Sequence, residues 1–369
     1  MQRGRTSIAV AALGLVLAVT GIAVPAQAAS DKHLRVKTVA TSADYVVYRQ
    51  KLATGYSISF PANSTLYFFG DDLKRHPLTG FDPSGDLRIA DDTVVQQLGS
   101  DGTGAADSTT AKRLHWRDLR TGDEGDATLA ANDEYADPSL HGWIVKRRTG
   151  VTAANGQPVY RVMTISTAGV VRDYGIPYPN GASFRVVAGP KGLLTSPAVY
   201  SGEGDEDSPI GDGRVRYSLY AHYGSWKTIY DAHADIDFSC GRPTATHAGC
   251  AFEEAVDTRH DGYALLSLRS GRLAWLADHP KQCWFSAREA FGGALVGEAS
   301  STSPKQHCVR GRLTALSADG RIENSKRRWG VHALATVGLG RILVSENDQR
   351  AIYGLTSVNA KPKLLVRAR

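Results

Sequence analysis

The feature that most limits the fold is the recurrence of one local pattern: a strand, a short turn on Gly or Asn, and a returning strand. It appears as Leu114-His-Trp-Arg-Asp-Leu-Arg-Thr-Gly122, Val159 to Gly169, Val215 to Gly224, Tyr263 to Gly271, Leu313 to Gly320 and Ile352 to Asn359. The turn residues are 47, 55, 47, 49 and 39 residues apart, and a weaker copy, Leu66-Tyr-Phe-Phe-Gly70, stands 52 residues before Gly122. A unit of this size cannot bury its apolar faces alone, so copies must stack, and a period in the forties made of four short strands marks a propeller blade. The sequence therefore predicts an all-β fold, a β-propeller of seven four-stranded blades spanning residues 29–369.

Local patterning agrees. Runs such as Arg214-Val-Arg-Tyr-Ser-Leu-Tyr220 alternate apolar and polar residues, and few segments carry a helical period. Small residues open a second apolar strand in several units, at Gly189-Pro-Lys-Gly192, Gly292-Gly293 and Gly338-Leu-Gly340, as expected where blades crowd together. The competing architecture is a β-sandwich followed by a second β domain, but no Pro- or Ser-rich linker divides the chain.

Residues 1–28 read as a cleavable secretory signal peptide. Arg3 and Arg5 precede the apolar stretch Ile8 to Val24, and Ala26-Gln27-Ala28 supplies a small-x-small cleavage site. The expected product is secreted, monomeric and without a membrane span. All four cysteines, Cys240, Cys250, Cys283 and Cys308, lie in one stretch, and their even number suits an oxidising compartment. Pairings Cys240–Cys250 and Cys283–Cys308 would each close a loop within one structural unit. Charge is uneven: Asp71 to Asp137 holds fifteen acids against seven bases, and Ser301 to Arg369 thirteen bases against four acids. In a closed ring these two ends become neighbours.

The segment Leu313-Thr-Ala-Leu-Ser-Ala-Asp-Gly-Arg321 resembles the outer hairpin of quinoprotein-like and WD40-like propeller repeats. That resemblance implies a propeller and carries no particular activity with it.

Two acidic runs are candidate metal sites. In Asp231-Ala-His-Ala-Asp-Ile-Asp237, a single extended strand would put Asp231, His233, Asp235 and Asp237 on one face. The Gly-rich loop around Glu203, Asp205 and Asp207 has the oxygen ligands that Ca²⁺ uses, though it departs from an EF-hand. Each has a plain alternative, a polar connection between blades and a solvated loop tip. Further acids, Asp91, Asp92, Asp133 and Glu134, would matter if they converged at a channel mouth. Lys146-Arg-Arg148 and Lys326-Arg-Arg328 read as solvated strand edges rather than polyanion sites. No Gly-x-Ser-x-Gly, His-Glu-x-x-His or phosphate-loop motif occurs. The composition thus points to a secreted binding or scaffold propeller for an extracellular glycan, wall polymer or protein. No resident cofactor beyond Ca²⁺ and no nucleic-acid partner is expected. The alternative is a propeller enzyme, either a glycan hydrolase or lyase or a quinoprotein-like oxidoreductase.

Overall fold

A strand with apolar side chains on both faces needs a neighbour on each side, and this chain supplies many: Val46-Val47-Tyr48, Trp143-Ile144-Val145, Leu295-Val296 and Ile342-Leu343-Val344. In a computed structural model of the protein these runs lie in the second strands of consecutive four-stranded antiparallel sheets. The structure describes residues 33–53, 64–98, 112–189, 192–197, 214–221, 226–233, 236–244, 246–254, 262–270, 272–278, 289–298, 309–317, 319, 321–330, 334–345 and 349–368. Among them there is no helix. There are seven such sheets, each built from four consecutive strands: I (33–77), II (87–128), III (133–175), IV (184–233), V (236–278), VI (289–324) and VII (334–367).

The sheets stack face to face in chain order, and alternation along each strand divides its side chains between the two neighbours. In sheet I, Val47, Leu66 and Phe68 pack toward Leu87, Ile89 and Val94 of sheet II, whereas Val46, Tyr48 and Phe69 pack toward Leu343, Ile352 and Leu365 of sheet VII. Val95 and Leu114 of sheet II meet Trp143, Val145 and Met163 of sheet III, whose Ile144 and Val162 turn to Phe184 and Val186 of sheet IV. Ala251 and Leu265 of sheet V meet Leu295 and Leu316 of sheet VI, whose Val296 and Leu313 face Ile342 and Val344 of sheet VII. The apolar interior is therefore a series of slabs between sheets. Several second strands carry continuous apolar runs because both of their faces are covered there, and polar residues follow, as at Arg49-Gln50-Lys51 and Lys146-Arg147-Arg148.

The repeat turns fall where a blade would put them. Gly70, Gly122, Gly169 and Asn359 connect third and fourth strands. Gly122 and Gly169 have φ of 85° and 79°, a left-handed conformation that glycine adopts without a steric penalty.

Sheets I and VII are each complete within their own end of the chain, so the seam between them has no exchanged strand. It is held by the Val46–Leu343 slab and by two backbone hydrogen bonds, Val36 N–H to the Gln349 carbonyl at 2.6 Å and Leu339 N–H to the Ser42 carbonyl at 3.1 Å. Gly338 sits at this joint. A Cβ there would lie 2.9 Å from Thr41 Cβ and 3.2 Å from the Ser42 carbonyl oxygen. Gly189 crowds Pro243 of sheet V in the same way, which accounts for small residues at the ends of these first strands.

Cys240 and Cys250 are directly paired residues of the first two strands of sheet V and form a disulfide. Cys283 and Cys308 lie outside the described residues, as do the signal segment 1–28 and the loop with Glu203, Asp205 and Asp207. Among the described residues no helix is long and apolar enough to cross a membrane.

Two stability predictions follow from this packing. Gly338→Ala should destabilise the protein by about 1–3 kcal/mol through overpacking at the seam, measured by urea unfolding; an unchanged midpoint would show that the seam has slack. Glu298, 5 % exposed at the end of a strand in sheet VI, has a carboxyl pushed up to about 7 by burial, against the opposing pull of Arg310. A raised acid favours the folded state while it is protonated, so that stability is lost as pH rises from about 4.5 to about 7. Glu298→Gln should flatten this slope and stabilise the protein by about 2–3 kcal/mol at pH 8.

Candidate functional site

At one end of the stack, the turns that join first to second strands lie next to one another. Sheet I contributes Ser42 to Tyr45, sheet II the two-residue turn Asp91-Asp92, and sheet III the turn Leu140-His141. Side chains and backbone link these turns in sequence. The Ser42 hydroxyl donates to the Asp91 carbonyl at 2.6 Å, and His141 Nδ1 stands 3.4 Å from Asp92 Oδ1. Asp91 and His141 have φ of 52° and 57°, the left-handed region that non-glycine residues seldom occupy. The tight turns and their neighbours hold them there.

The turns wall one side of a cleft of about 640 Å³. The Gly70 to Asp72 bend with His76 in sheet I, and Leu119 with Arg120 in sheet II, complete it. Five carboxylates, those of Asp44, Asp71, Asp72, Asp91 and Asp92, face Arg120 and two histidines, and Tyr45 and Phe68 add aromatic surface. The Phe68 and His76 rings stack with centroids 5.1 Å apart.

Asp92 is the buried member, 4 % exposed. Its Oδ2 accepts from Arg120 Nε at 3.0 Å, while Oδ1 has only longer contacts, to Thr93 Oγ1 at 3.3 Å and to His141. Asp91 behaves differently. Burial, a hydrogen bond with the Asp44 carboxyl and the charge of Asp92 push its carboxyl up to about 6. Burial and the charges of Asp92 and Asp118 also raise the Tyr45 phenol. The hydrogen bond to Asp92 raises the exposed Arg120 guanidinium further and keeps it charged. One oxygen each from Asp91 and Asp92 and one ring nitrogen of His141 lie within 4.8 Å of one another, a donor set of the kind that holds a metal ion.

The other acids and bases singled out in the sequence are placed elsewhere. Asp231 and His233 are on the fourth strand of sheet IV, and Asp237 is on the first strand of sheet V. The run is not one continuous strand, since the chain passes from one sheet to the next between them. Asp235 and the side chains of the other three lie outside the described residues. Asp133 and Glu134 are structural partners of the basic run opposite them. Asp133 accepts from Arg147 Nε at 2.6 Å and Nη2 at 2.8 Å, and Glu134 from Arg148 and the Tyr160 hydroxyl, both at 2.9 Å, with Lys146 3.3 Å away. Lys146-Arg-Arg148 is thus neutralised within sheet III. Arg327 stacks on buried Trp329, 4.4 Å from the ring centroid. A second charged cluster joins three sheets: buried Asp137 takes Arg88 at 3.4 Å and Arg242 at 3.0 Å. Burial pushes the Asp137 carboxyl up even between the two guanidinium groups, and Asp137 ties the first strands of sheets II and III to the loop after the first strand of sheet V.

His141, Asp44 and Arg120 were not singled out in the sequence. His141 stands 50 residues after Asp91, about one repeat later, so aligning first turns instead of outer hairpins would have paired them.

No family model matches the sequence, and no curated protein matches it. Solved structures do. Prolyl oligopeptidase B from Galerina marginata is similar over 92 % of this chain and 52 % of its own, with a TM-score of 0.55 at 8 % identity. An acylaminoacyl peptidase from Pyrococcus horikoshii matches over 90 % and 52 %, with a TM-score of 0.52 at 10 % identity. An acylaminoacyl peptidase in complex with Z-Gly-Gly-Phe-chloromethyl ketone matches over 91 % and 53 %, with a TM-score of 0.52 at 9 % identity. The chain spans about half the length of these structures, and at such identity the likeness concerns the propeller fold alone.

Proposed function

We propose that the protein is an exported propeller that binds a hydroxyl-rich ligand, a neutral or amino-bearing glycan of an extracellular or wall polymer, in the Asp91–His141 cleft. The observation that carries this reading is the cleft itself. At about 640 Å³ it has the size of a small-ligand site, and it combines five carboxylate acceptors with the half-buried rings of Tyr45 and His76. Sugar hydroxyls donate to carboxylates, and sugar faces pack on aromatic rings. A polyanionic polymer would meet like charge there. Export is supported by the pattern of residues 1–28 and by the Cys240–Cys250 disulfide. The solved relatives are peptidases, but this sequence contains no Gly-x-Ser-x-Gly nucleophile motif, so the propeller is read as a binding unit without acyl-transfer chemistry.

One observation favours a second reading. Asp91, raised to about 6, sits beside Asp92, which Arg120 pairs, and two carboxyl groups in such unlike settings can divide acid and base roles in glycan cleavage.

A glycan and wall-polymer array on the mature protein tests the reading. Asp92→Asn should weaken any retained ligand at least about tenfold, or about 1.4 kcal/mol, with the fold intact by circular dichroism. No retained ligand, or one indifferent to Asp92→Asn, would refute the assignment of the cleft. Chain shortening of the retained ligand, abolished by Asp91→Asn, would establish the enzymatic reading.

A further inference from the structure

The geometry points to a divalent transition-metal site formed by Asp91, Asp92 and His141, open toward the cleft, which holds the ligand through a bound cation. This inference rests on the reading of the cleft as the binding site.

The donor set is mixed, two carboxylates and one imidazole, and comes from turns of two adjacent sheets that are themselves anchored. Zn²⁺ and Mn²⁺ accept such a set, whereas Ca²⁺ prefers six to eight oxygens. The separation of His141 Nδ1 and Asp92 Oδ1 is informative in its own right. At 3.4 Å it is long for a charge-assisted hydrogen bond, which is usually about 2.7–2.9 Å. Two donors bound at about 2.05 Å to one tetrahedral cation lie about 3.3 Å apart. That spacing is compatible with two ligands of a common ion, as it is with a long ion pair.

Asp92 also has the surroundings of a ligating carboxylate. Arg120 takes Oδ2 and orients the group, as hydrogen bonds to the non-ligating atom do in metal sites, and leaves Oδ1 turned to His141. Asp91 is fixed at its backbone, the carbonyl accepting from the Ser42 hydroxyl, while its carboxyl shares a hydrogen bond with the Asp44 carboxyl. Three protein donors leave at least one coordination position facing the cleft, and three-ligand sites use that position for water or substrate oxygen. A ligand hydroxyl placed there would be bound by the cation while its remaining surface met Tyr45 and His76. No electron transfer or bond cleavage is involved: the ion is a bridge.

The test uses the mature chain, stripped with chelator and dialysed, with Zn²⁺ and Mn²⁺ as separate probes. Isothermal titration should show one equivalent bound, together with a rise in the thermal midpoint, since an ion that binds only the folded state stabilises it. His141→Gly is the informative variant, because glycine adopts a φ of 57° freely and the turn should survive the loss of the imidazole. It should bind at least about tenfold more weakly and lose the thermal shift. Asp91→Asn, compatible with a left-handed φ, should do the same. No binding of either ion at about 1 mM, or His141→Gly binding as tightly as the parent, overturns the site. Repeating the polymer array in chelator separates the two readings. Ligand retention that is unchanged in chelator overturns the cation bridge and leaves the cleft as the binding site. One equivalent of cation bound through His141 without any retained polymer supports the ion site and overturns the assignment of the ligand.

Discussion

Everything in this molecule depends on the need of each sheet to cover both of its faces. An apolar side chain removed from water contributes about 1.5–3 kcal/mol, and here alternate residues of one strand, such as Val46 and Val47 or Ile342 and Leu343, give theirs to opposite neighbours. A linear stack satisfying that rule would leave two apolar faces bare at its ends. Bringing sheet VII against sheet I removes both, so the Val46–Leu343 contact is the one on which the arrangement of the remaining sheets turns. Because no strand is exchanged across it, side-chain packing and two backbone hydrogen bonds carry the closure.

The candidate site is a by-product of that stacking. When sheets are set side by side, their first turns are brought to one end and touch, so a residue on one turn meets residues one repeat away in sequence. In two such turns, Gly292-Gly293 and Leu339-Gly340, the chain places small or apolar residues. Sheets II and III place Asp91-Asp92 and His141 there instead, both turns in left-handed backbone conformations. Polar, partly strained turns on a rigid scaffold are where recognition is commonly built. The Asp137 cluster gives a useful contrast: it is more deeply buried, and its two guanidinium partners come from the first strand of sheet II and a loop of sheet V.

The fold was largely legible because its rule is periodic. The turns at Gly70, Gly122, Gly169 and Asn359 recur with the blade, and all of them connect third and fourth strands. The apolar second strands were anticipated where small residues open them, at Gly192, Gly292-Gly293 and Gly338-Leu-Gly340, and Trp143-Ile144-Val145 shows the same covering of both faces without such a signal. The site was legible only in part. Asp91 and Asp92 are adjacent and acidic and so attracted notice. His141 is separated from them by a repeat, and nothing in its own neighbourhood distinguishes it. Conversely, Asp133 and Glu134 looked equally promising until cross-strand pairing with Arg147, Arg148 and Lys146 showed where their charge goes. Composition identifies charged residues, but strand register decides which of them neutralise each other.

The central claim is that the first turns of sheets I, II and III form a single recognition surface. Hydrogen exchange of the mature protein, compared with and without a ligand retained on the polymer array, addresses it most directly. Simultaneous protection of the segments at 42–45, 91–93 and 140–142, with little change in other sheets, is the expected footprint. Protection confined to other turns, or to one of the three segments alone, would contradict it.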